Sequence, residues 1–468
     1  MILNNTTICA IATGQGGAIG IIRVSGINAI TYTDRIFRSA KGKKLSEAKA
    51  YTLSFGQIAD PDNNVIDEVL VSVFHAPHSY TGENSTEISC HNSPYILQRI
   101  MQLLLQAGCK LAAPGEYTQR AFLNKKMNLC QAEAVADLIA STTASTHRLA
   151  LQQMRNGFMQ EFKELRDKLL KITSLMELEL DFSDHEDLEF ADRAELLSLL
   201  AETRKKIKHL ADSFHYGNAI KKGIPVAIVG DTNVGKSTLL NTLFGEEKSI
   251  VSDIKGTTRD SIEDVLNING FLFRFIDTAG IRQTTNEIER IGIERTYKKI
   301  EQSSIILWMI DCKSALENKE FINTIYKKEN LSLENKSVLL LCNKCDQLDS
   351  KEKEHIEKIL KILPHPYLFI SAKEGMYINE LKDKIFNISH LSQWDESDYT
   401  ITNIRHYEAL TAALNNIEKT EQGLKNNIPS DLVSQDLREC IYHLSDIVGE
   451  VTSTDILHSI FSKFCIGK

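Results

Sequence analysis

The chain contains little proline and little glycine for its length, with 8 and 24 of these residues among 468. Collagen-like and low-complexity chains carry a much larger share of both, so those classes are excluded and a helix-rich globular protein is favoured. A membrane-spanning helix needs about 20 consecutive apolar residues, and no run approaches that length. Residues 1–5 lack the basic side chains that begin a secretory leader. We therefore expect neither a membrane segment nor a leader.

Charged and thiol side chains narrow the class of protein further. Lys and Arg total 54 against 62 for Asp and Glu, and the net charge of −8 argues against a dedicated basic nucleic-acid binder. If the protein contacts RNA, a partner or a local patch must supply the positive field. The 9 cysteines are odd in number and scattered along the chain. That pattern favours reduced thiols in the cytoplasm over a disulfide framework.

The character of the sequence changes along the chain. Strand-like and helical stretches mix up to about residue 118, and amphipathic helical spacing dominates from there to about residue 215. Residues 222 to about 385 alternate apolar strands with helices, as in a doubly wound βαβ sheet, and helical spacing returns after about 390. The expected strands are 18–24, 51–58, 67–75, 224–229, 271–276, 305–310, 338–341 and 367–370, and the expected helices include 95–106, 131–141 and 146–179.

Residues 230–237 read GDTNVGKS and fit the phosphate-loop pattern G-x-x-x-x-G-K-[ST]. They follow an expected strand and precede a helical stretch. That context is needed because backbone N–H groups and the positive end of the helix then face the phosphates. In this pattern Lys236 reaches the β- and γ-phosphates and Ser237 binds Mg²⁺. The sequence therefore predicts a nucleoside triphosphate site.

Three further motifs follow in the order found in GTPases. The DTAG motif at 277–280 comes after an expected strand, where Asp277 would hold Mg²⁺ through water and Gly280 would sense the γ-phosphate. In the NKCD motif at 343–346, a carboxylate at Asp346 can accept from the ring N–H and the amine of guanine, which adenine cannot match. The SAK motif at 371–373 would supply a backbone contact to the guanine oxygen. Together the four motifs predict guanine-nucleotide binding.

One position departs from the commonest GTPase pattern. A glutamine that orients the attacking water often follows D-x-x-G, whereas Ile281 stands there in this chain. Isoleucine cannot polarise water, so another group must do so. Glu287 and Glu289 are the nearest candidates, although both could instead be solvated charges on a helix face.

Cys342 and Cys345 form a C-x-x-C pair inside the guanine-recognition segment. Such pairs can bind metal or exchange disulfides, but no second pair accompanies this one. The two residues between the cysteines are already explained by guanine recognition. We interpret the pair as a coincidence.

Residues 254–260 (IKGTTRD), the phosphate loop and the DTAG motif together resemble the potassium-activated GTPases of the Era/Der group. Stretches outside the GTPase motifs narrow the resemblance to the MnmE (TrmE) family of tRNA-modification GTPases. They are GIIRVSG at 20–26, PHSYTGE at 77–83, APGEYT at 113–118, RAFLN at 120–124, QAEAVAD at 131–137 and FCIGK at 464–468. The likeness spans essentially the whole chain.

The resemblance implies a multi-domain fold. It has an α+β N-terminal domain that binds folate, an all-α helical domain, and an α/β P-loop GTPase domain inserted in the helical domain. We assign residues 1–118 to the N-terminal domain, 119–216 and 386–468 to the two parts of the helical domain, and 217–385 to the GTPase domain. The N-terminal domain is also expected to pair with its twin in a homodimer.

The resemblance also implies roles for single residues. Glu289 would orient the attacking water, while Ser237 and Thr258 would bind Mg²⁺. Potassium would be held by Asn233, Ser252, Ile254 and Thr257, and folate by Arg23, Glu87, Lys126 and Lys468. The full expected GTP-binding set is Asn233, Val234, Gly235, Lys236, Ser237, Thr238, Ser252, Asp253, Ile254, Lys255, Gly256, Thr257, Thr258, Asp277, Thr278, Ala279, Gly280, Asn343, Lys344, Asp346, Ser371, Ala372 and Lys373.

The implied activity is a cytoplasmic GTPase that acts in modifying C5 of the wobble uridine of certain tRNAs. It would use GTP, K⁺, Mg²⁺ and a tetrahydrofolate derivative, either the 5,10-methylene or the 5-formyl form. The implied partner is the flavoprotein MnmG (GidA), which would carry FAD and most of the tRNA-binding surface. The alternative is an Era/Der-like regulatory GTPase of ribosome assembly.

Two stretches depart from the family pattern near the implied folate site. TGQGG at 13–17 replaces a Pro-Pro-Gly-Arg-type run, and HNS at 91–93 replaces His-Gly-Gly. Cys465 could be a nucleophile, but no paired base is identifiable, so we favour a packed or substrate-adjacent cysteine. Prenylation is not expected, because Gly467 and Lys468 do not fit the C-a-a-X pattern.

Overall fold

The structure is a computed structural model that describes most of the chain. The described residues are 6–14, 16–181, 193–245, 264–276, 300–317, 336–389, 391, 399–426, 428–449, 454–462, 464 and 467. The chain divides into two compact units. The first unit comprises Met1–Ala140, Ala150–Lys205 and Ala409–Lys468, and the second comprises Ser141–Leu149 and Lys206–Glu408.

The first unit contains a seven-stranded sheet in the order β3-β4-β5-β6-β2-β1-β7. Its neighbours pair antiparallel except for β1 and β7, which are parallel. Side chains alternate along β5, where Val69, Val71 and Val73 are buried and Leu70 is exposed, so one face of the sheet forms the core. The strands are β1 (Ile8–Ile11), β2 (Ile19–Ser25), β3 (Phe37–Ser39), β4 (Thr52–Ala59), β5 (Val65–Phe74), β6 (Ser85–His91) and β7 (Lys110–Leu111).

Helices cover the buried face of this sheet. Helix α2 starts with proline at its first position and ends at Gly108, whose φ of 116° suits a left-handed helix cap. Its buried side chains, among them Ile100 and Leu104, share one core with the sheet. The described helices up to Lys222 are α1 (Ala29–Ile36), α2 (Pro94–Ala107), α3 (Glu116–Leu123), α4 (Leu129–Ala140), α5 (Ala144–Met154), α6 (Asn156–Asp181) and α7 (Arg193–Lys222).

The two flanks of the second unit build one helical layer. Helix α13 (Ser430–Val448), which follows the second unit in sequence, packs against α6 and α4, which precede it. Helix α14 (Thr454–Phe461) packs against α3. The second unit is therefore inserted in the sequence of a helical domain, as predicted. The division between the units falls within α5, α7 and α12 (Ile404–Lys425).

The second unit contains a six-stranded sheet in the order β13-β12-β11-β8-β10-β9. All pairings are parallel except the β9–β10 hairpin. Both faces are buried: Ile228 and Leu341 lie in one core, whereas Val229 and Trp308 lie in the core of the opposite face. The strands are β8 (Ile224–Val229), β9 (Asp264–Ile268), β10 (Phe271–Phe275), β11 (Ile305–Asp311), β12 (Ser337–Asn343) and β13 (Tyr367–Phe369), and the remaining described helices are α8 (Lys236–Gly245), α9 (Cys312–Glu317), α10 (Ser350–Leu360) and α11 (Ile378–Ile388).

The observed elements confirm the predicted fold class and the eight predicted strands, within a few residues at their ends. The single helix predicted for 146–179 is wrong, because α5 ends at Met154 and α6 begins at Asn156. The Asn156-Gly157 pair explains the break, since both residues favour turns over helix interiors. Among the described residues no helix is long and apolar enough to cross a membrane. The four domain ranges stay predictions.

Candidate functional site

The phosphate loop lies between the end of β8 and the start of α8, where the parallel sheet presents its carboxyl edge. Gly230, Asn233 and Gly235 have φ values of 150°, 65° and 102°. A Cβ atom at Gly230 would lie 2.4 Å from the backbone oxygen of Met309. Glycine is therefore required at that position, and the loop leads directly into the N-terminus of α8, the positive end of a helix and a favourable place for an anion.

Lys236 holds its ammonium group over this loop. Its Nζ atom donates to the backbone oxygens of Gly230 and Asp231, at 2.9 Å and 2.6 Å. Ser237 follows it in the first turn of α8 and is half-buried. A cation and a hydroxyl at the positive end of a helix are the groups that a triphosphate and its Mg²⁺ require.

Asn343 connects the phosphate loop to the guanine-recognition segments through two hydrogen bonds. Its Nδ2 atom donates to the backbone oxygen of Val234 at 2.7 Å, and its Oδ1 atom accepts from the backbone N–H of Ala372 at 3.0 Å. The residue is 3% exposed, so both hydrogen bonds are shielded from water. Thr242 of α8 adds a hydrogen bond from its hydroxyl to the backbone oxygen of Ala372 at 2.7 Å. Three segments far apart in sequence thus form one rigid cluster.

The residues predicted to read guanine lie at the carboxyl ends of β12 and β13. Asp346 is exposed in the short turn after β12, and the neighbouring Cys345 donates its backbone N–H to Ile370 at 3.1 Å. Lys344 has a φ of 66°, and its Nζ atom lies 2.6 Å from the carboxylate of Asp311. The predicted Ser371 is buried and Lys373 is exposed. The structure therefore brings these residues to the same edge of the sheet as the phosphate loop.

Several predicted nucleotide and metal residues lie outside the described residues. One group, at 252–258, precedes strand β9, which begins at Asp264. Another, at 277–289, follows strand β10, which ends at Phe275. The predicted residues outside the description are Ser252, Asp253, Ile254, Lys255, Gly256, Thr257, Thr258, Asp277, Thr278, Ala279, Gly280, Glu287, Glu289, Cys465 and Lys468.

The surroundings of the C-x-x-C thiols favour their protonated form. A hydrogen bond with the Cys312 thiol, together with burial, raises the pKa of Cys342. Burial raises the pKa of the half-buried Cys345. Because the thiolate is the reactive and metal-binding form, a raised pKa disfavours both redox and zinc chemistry. This supports the interpretation of the pair as a coincidence.

A second polar site lies in the first unit, where β2 and β6 are adjacent. Arg23 pairs with Glu87 through two nitrogens, at 2.9 Å and 2.8 Å, and the two residues are direct neighbours in the β2–β6 register. The same guanidinium donates to the backbone oxygen of Gly467 at 3.3 Å. Two predicted folate residues are thus joined, and a third, Lys468, directly follows Gly467, which contacts Arg23.

Lys126, the remaining predicted folate residue, lies against the segment 77–83. Its Nζ atom donates to the backbone oxygen of Pro77 at 3.1 Å. Gly82 in that segment has a φ of 77°, and a Cβ atom there would lie 3.3 Å from Cγ of Lys126. Tyr80, from the same segment, has its ring centre 5.7 Å from the guanidinium carbon of Arg23. The segment therefore connects Lys126 to the Arg23–Glu87 pair.

The sequence motifs identify the segments around this site, whereas the roles of their aromatic and charged residues are visible only in the structure. Tyr117 is buried, donates from its hydroxyl to the backbone oxygen of Arg23 at 2.8 Å, and has its pKa raised by burial. Tyr80 hydrogen-bonds to Thr118 at 2.9 Å, and burial raises its pKa. Arg120 is 5% exposed and pairs with carboxylates in two motifs. The signal in the sequence that could have indicated these roles was the presence of a tyrosine or an arginine within each motif.

The two stretches that depart from the family pattern contact each other. The side chain of Asn92 donates to the backbone oxygen of Gly14 at 3.3 Å, and its backbone N–H donates to Ala18 at 3.0 Å. His91 next to it pairs with Asp67 at 2.8 Å. A strand, β2, follows the glycine-rich stretch, whereas a helix follows the glycine-rich turn of a dinucleotide-binding site.

Comparisons with known proteins give a consistent result. Residues 7–126 match the family described as the GTP-binding protein TrmE N-terminus, and residues 129–465 match the MnmE helical domain. The chain is 57% identical over 470 residues to the tRNA modification GTPase MnmE of Bacteroides thetaiotaomicron, covering 100% of both chains. It is 48% identical over 468 residues to that of Flavobacterium johnsoniae, again covering 100% of both.

Among solved structures, Era in complex with MgGDPNP and a fragment of 16S ribosomal RNA is 28% identical. That likeness covers 41% of this chain and 66% of Era, with a TM-score of 0.27. Full-length identity to the curated relatives, together with family matches on both sides of residue 128, decides the assignment. The chain belongs to the MnmE (TrmE) family of tRNA modification GTPases.

Proposed function

We propose that GTP hydrolysis by the second unit serves the addition of a carboxymethylaminomethyl or aminomethyl group to C5 of the wobble uridine of certain tRNAs. The observation that carries the nucleotide part is the contact of Asn343 with both Val234 and Ala372. It makes the phosphate loop and the base-recognition segments a single preformed site. The tRNA part is supported by the names of the full-length relatives.

Within the nucleotide site, the predicted residues would have distinct tasks. Lys236 would leave its contacts on the loop oxygens or share them with the β- and γ-phosphates. The carboxylate of Asp346 would accept from the ring N–H and the amine of guanine, and the 371–373 segment would donate a backbone N–H to the guanine oxygen. Ser237 and Thr258 would hold Mg²⁺, which neutralises charge on the phosphates.

Potassium and Glu289 would complete hydrolysis. Oxygen ligands that suit a hard monovalent cation would come from Asn233, Ser252, Ile254 and Thr257. Of these four, only Asn233 lies among the described residues, where it is exposed and has a φ of 65°. The cation would supply the positive charge that an arginine finger supplies elsewhere. The carboxylate of Glu289 would orient the attacking water in place of the missing glutamine.

The Arg23–Glu87 site would bind a tetrahydrofolate derivative, 5,10-methylene or 5-formyl. A carboxylate such as Glu87 can accept from the pterin amine and ring N–H, and Lys126 and Lys468 suit the carboxylates of the folate tail. Tyr80 is 39% exposed as a residue, and its ring lies beside Arg23, so part of an aromatic side chain is accessible next to these polar groups. The bound folate would supply the one-carbon unit.

The remaining components would come from other chains. We propose that two copies of this chain pair through their N-terminal domains, and that the flavoprotein MnmG (GidA) supplies FAD and most of the tRNA-binding surface. The net charge of −8 supports this division, because a chain of this charge lacks the long-range attraction for RNA that a basic partner has. We place the assembly in the cytoplasm, where the cysteines would stay reduced.

Steady-state GTP hydrolysis in KCl and in NaCl at equal ionic strength tests the nucleotide mechanism. We expect the wild type to turn over fast in KCl and slowly in NaCl, and Asn233→Lys to turn over slowly in both salts. In Glu289→Ala, turnover should be strongly slowed while GTP binding stays intact. Glu301→Ala, in the described part of the same unit, serves as the matched carboxylate control and should turn over at the wild-type rate. Equal rates in the two salts would refute the potassium assignment, and unchanged turnover in Glu289→Ala would remove that residue from the mechanism.

A further inference from the structure

Asp311 is the last residue of β11 and stands next to Asn343 in the parallel β11–β12 register. The other six residues of β11 are apolar and buried, so Asp311 places a charged side chain at the end of an apolar strand. The parallel register places Asp311 at the same carboxyl edge as the NKCD segment, where ligands of doubly wound sheets bind. No role was assigned to it from the sequence.

Both oxygens of this carboxylate are engaged. Oδ1 accepts from the backbone N–H of Lys313 at 3.0 Å, and Oδ2 accepts from Nζ of Lys344 at 2.6 Å. The Asp311 side chain is 15% exposed and that of Lys344 is 32% exposed. The hydrogen bond from the backbone N–H of Lys313 fixes the orientation of the carboxylate. The hydrogen bond from Nζ of Lys344 therefore attaches the lysine to a fixed acceptor. Partial burial strengthens such a contact compared with an ion pair in open solvent.

Lys344 is the residue that needs this support. It lies between Asn343 and Asp346 in sequence and has a φ of 66°, a backbone conformation that side-chain-bearing residues adopt at a cost. Its side chain has four rotatable bonds, and ordering such a side chain when a ligand binds weakens affinity. Because Asp311 already holds the ammonium end of Lys344, much of the entropy cost of ordering this side chain is not incurred when the nucleotide binds.

We propose that Asp311 is a positioning residue for guanine recognition, which acts through Lys344 by holding the lysine and its loop in the nucleotide-ready arrangement. This inference rests on the proposed guanine site. It concerns the base rather than the phosphates, so GDP and GTP should be affected alike. It also concerns binding rather than the hydrolytic step, so kcat at saturating GTP should be unchanged.

The experiment measures equilibrium and dissociation constants for fluorescent GDP and a non-hydrolysable GTP analogue in Asp311→Ala and Asp311→Asn. We expect Kd to rise about 3- to 10-fold in Asp311→Ala, the scale of ordering one long side chain on binding. Asp311→Asn keeps one neutral acceptor oxygen, which can serve only one of the two donors, Lys313 N–H and Lys344 Nζ, and should fall between it and the wild type. The loss should shrink at high salt, because a partly exposed pair is screened.

A double-mutant cycle separates positioning from a general structural effect. In a Lys344→Met background, Asp311→Ala should cause little further loss of affinity, since its effect passes through the lysine. Glu354→Gln is the matched control, because it removes an ion pair with Lys358 in the same unit whose side chains are 66% and 70% exposed. It should leave Kd unchanged.

The outcomes distinguish this inference from the proposed function itself. Wild-type affinity in both Asp311 variants, or an equal loss with and without Lys344, would overturn the role of Asp311. Asp346→Asn tests the base site independently. If Asp346→Asn abolishes guanine binding while the Asp311 variants are silent, the positioning inference alone fails. If Asp346→Asn binds normally, the guanine site is wrong and Asp311 has no such role.

Discussion

The side-chain nitrogen of Asn343 occupies the space that any side chain at Gly235 would need. A Cβ atom at Gly235 would lie 2.3 Å from Nδ2 of Asn343, well inside van der Waals contact. The same nitrogen donates to Val234, the residue before Gly235, at 2.7 Å. The base-recognition motif and the phosphate loop are therefore interlocked. A nucleotide that binds one of them meets the other already in place.

The first prediction follows from this contact. Gly235→Ala adds a side chain at a φ of 102° and pushes it into Asn343, which must shift away from the loop. We expect affinity for GTP to fall about 5- to 150-fold, because overpacking of this kind costs about 1–3 kcal/mol. Isothermal titration calorimetry checks it. Gly245→Ala, at the end of the same helix, is the control and should bind normally, because no atom of the described residues lies within 4 Å of a Cβ atom there. Equal affinities in the two variants would contradict the interlock.

Local patterns could predict the elements but not this interlock. Strands such as β8 and β11 are continuous apolar runs, and the phosphate loop is a contiguous motif, so each is determined by neighbouring residues. Asn343 and Val234 are 109 positions apart, and Arg23 and Gly467 are 444 apart. Such contacts depend on how strands are ordered in a sheet and on where distant segments pack. A single sequence does not specify that order through periodicity.

Short or interrupted elements were also beyond the sequence pattern. Strand β1 has four residues and was missed, since a run of that length does not distinguish a strand from a helix segment. The break between α5 and α6 was missed because the helix was predicted from apolar spacing alone, without weight for the turn-favouring Asn156-Gly157 pair. The Arg23–Glu87 pair was expected only through family resemblance; the tyrosines that surround it were found in the structure.

The second prediction concerns the stability of the first unit. Arg120 contacts Glu83 at 3.1 Å and Glu116 at 2.7 Å, and these carboxylates are 19% and 20% exposed. Arg120→Met keeps most of the side-chain volume but leaves both carboxylates without their cation, so we expect a loss of about 3–5 kcal/mol in the free energy of unfolding. Urea denaturation checks it. Lys168→Met removes a more exposed pair with Glu202 and should cost at most about 1 kcal/mol; similar losses in both variants would count against the buried network.

The third prediction concerns folate. Glu87→Gln keeps the shape of the side chain, but an amide cannot accept from both the pterin amine and the ring N–H. We expect the affinity for 5-formyltetrahydrofolate to fall at least about 10-fold, the scale of losing one charged hydrogen bond. Fluorescence titration measures it. Glu68→Gln changes an exposed carboxylate on the neighbouring strand that contacts Gln57, and it should bind folate as the wild type does; normal binding by Glu87→Gln would place the pterin elsewhere.

The fourth prediction is a pH dependence. Burial raises the pKa of Cys345, so its reactive thiolate forms at higher pH than that of an ordinary thiol. In a Cys465→Ser background, alkylation of Cys345 by iodoacetamide should be slow near neutral pH and should keep accelerating above about pH 8.5, the ordinary thiol pKa. Peptide mass spectrometry follows the rate, with Cys345→Ser to identify the site. A rate that levels off at or below that pH would show an unperturbed or activated thiol instead.

The central claim is that this GTPase acts in wobble uridine modification, and nucleoside mass spectrometry on bulk tRNA tests it most directly. The comparison uses cells lacking the gene, complemented with the wild type or with Glu289→Ala. We predict loss of 5-carboxymethylaminomethyluridine-type nucleosides in the deletion strain, restoration by the wild type, and failure of Glu289→Ala to restore them. Unchanged wobble uridines together with accumulated ribosomal RNA precursors would contradict the account and place the protein among the ribosome-assembly GTPases.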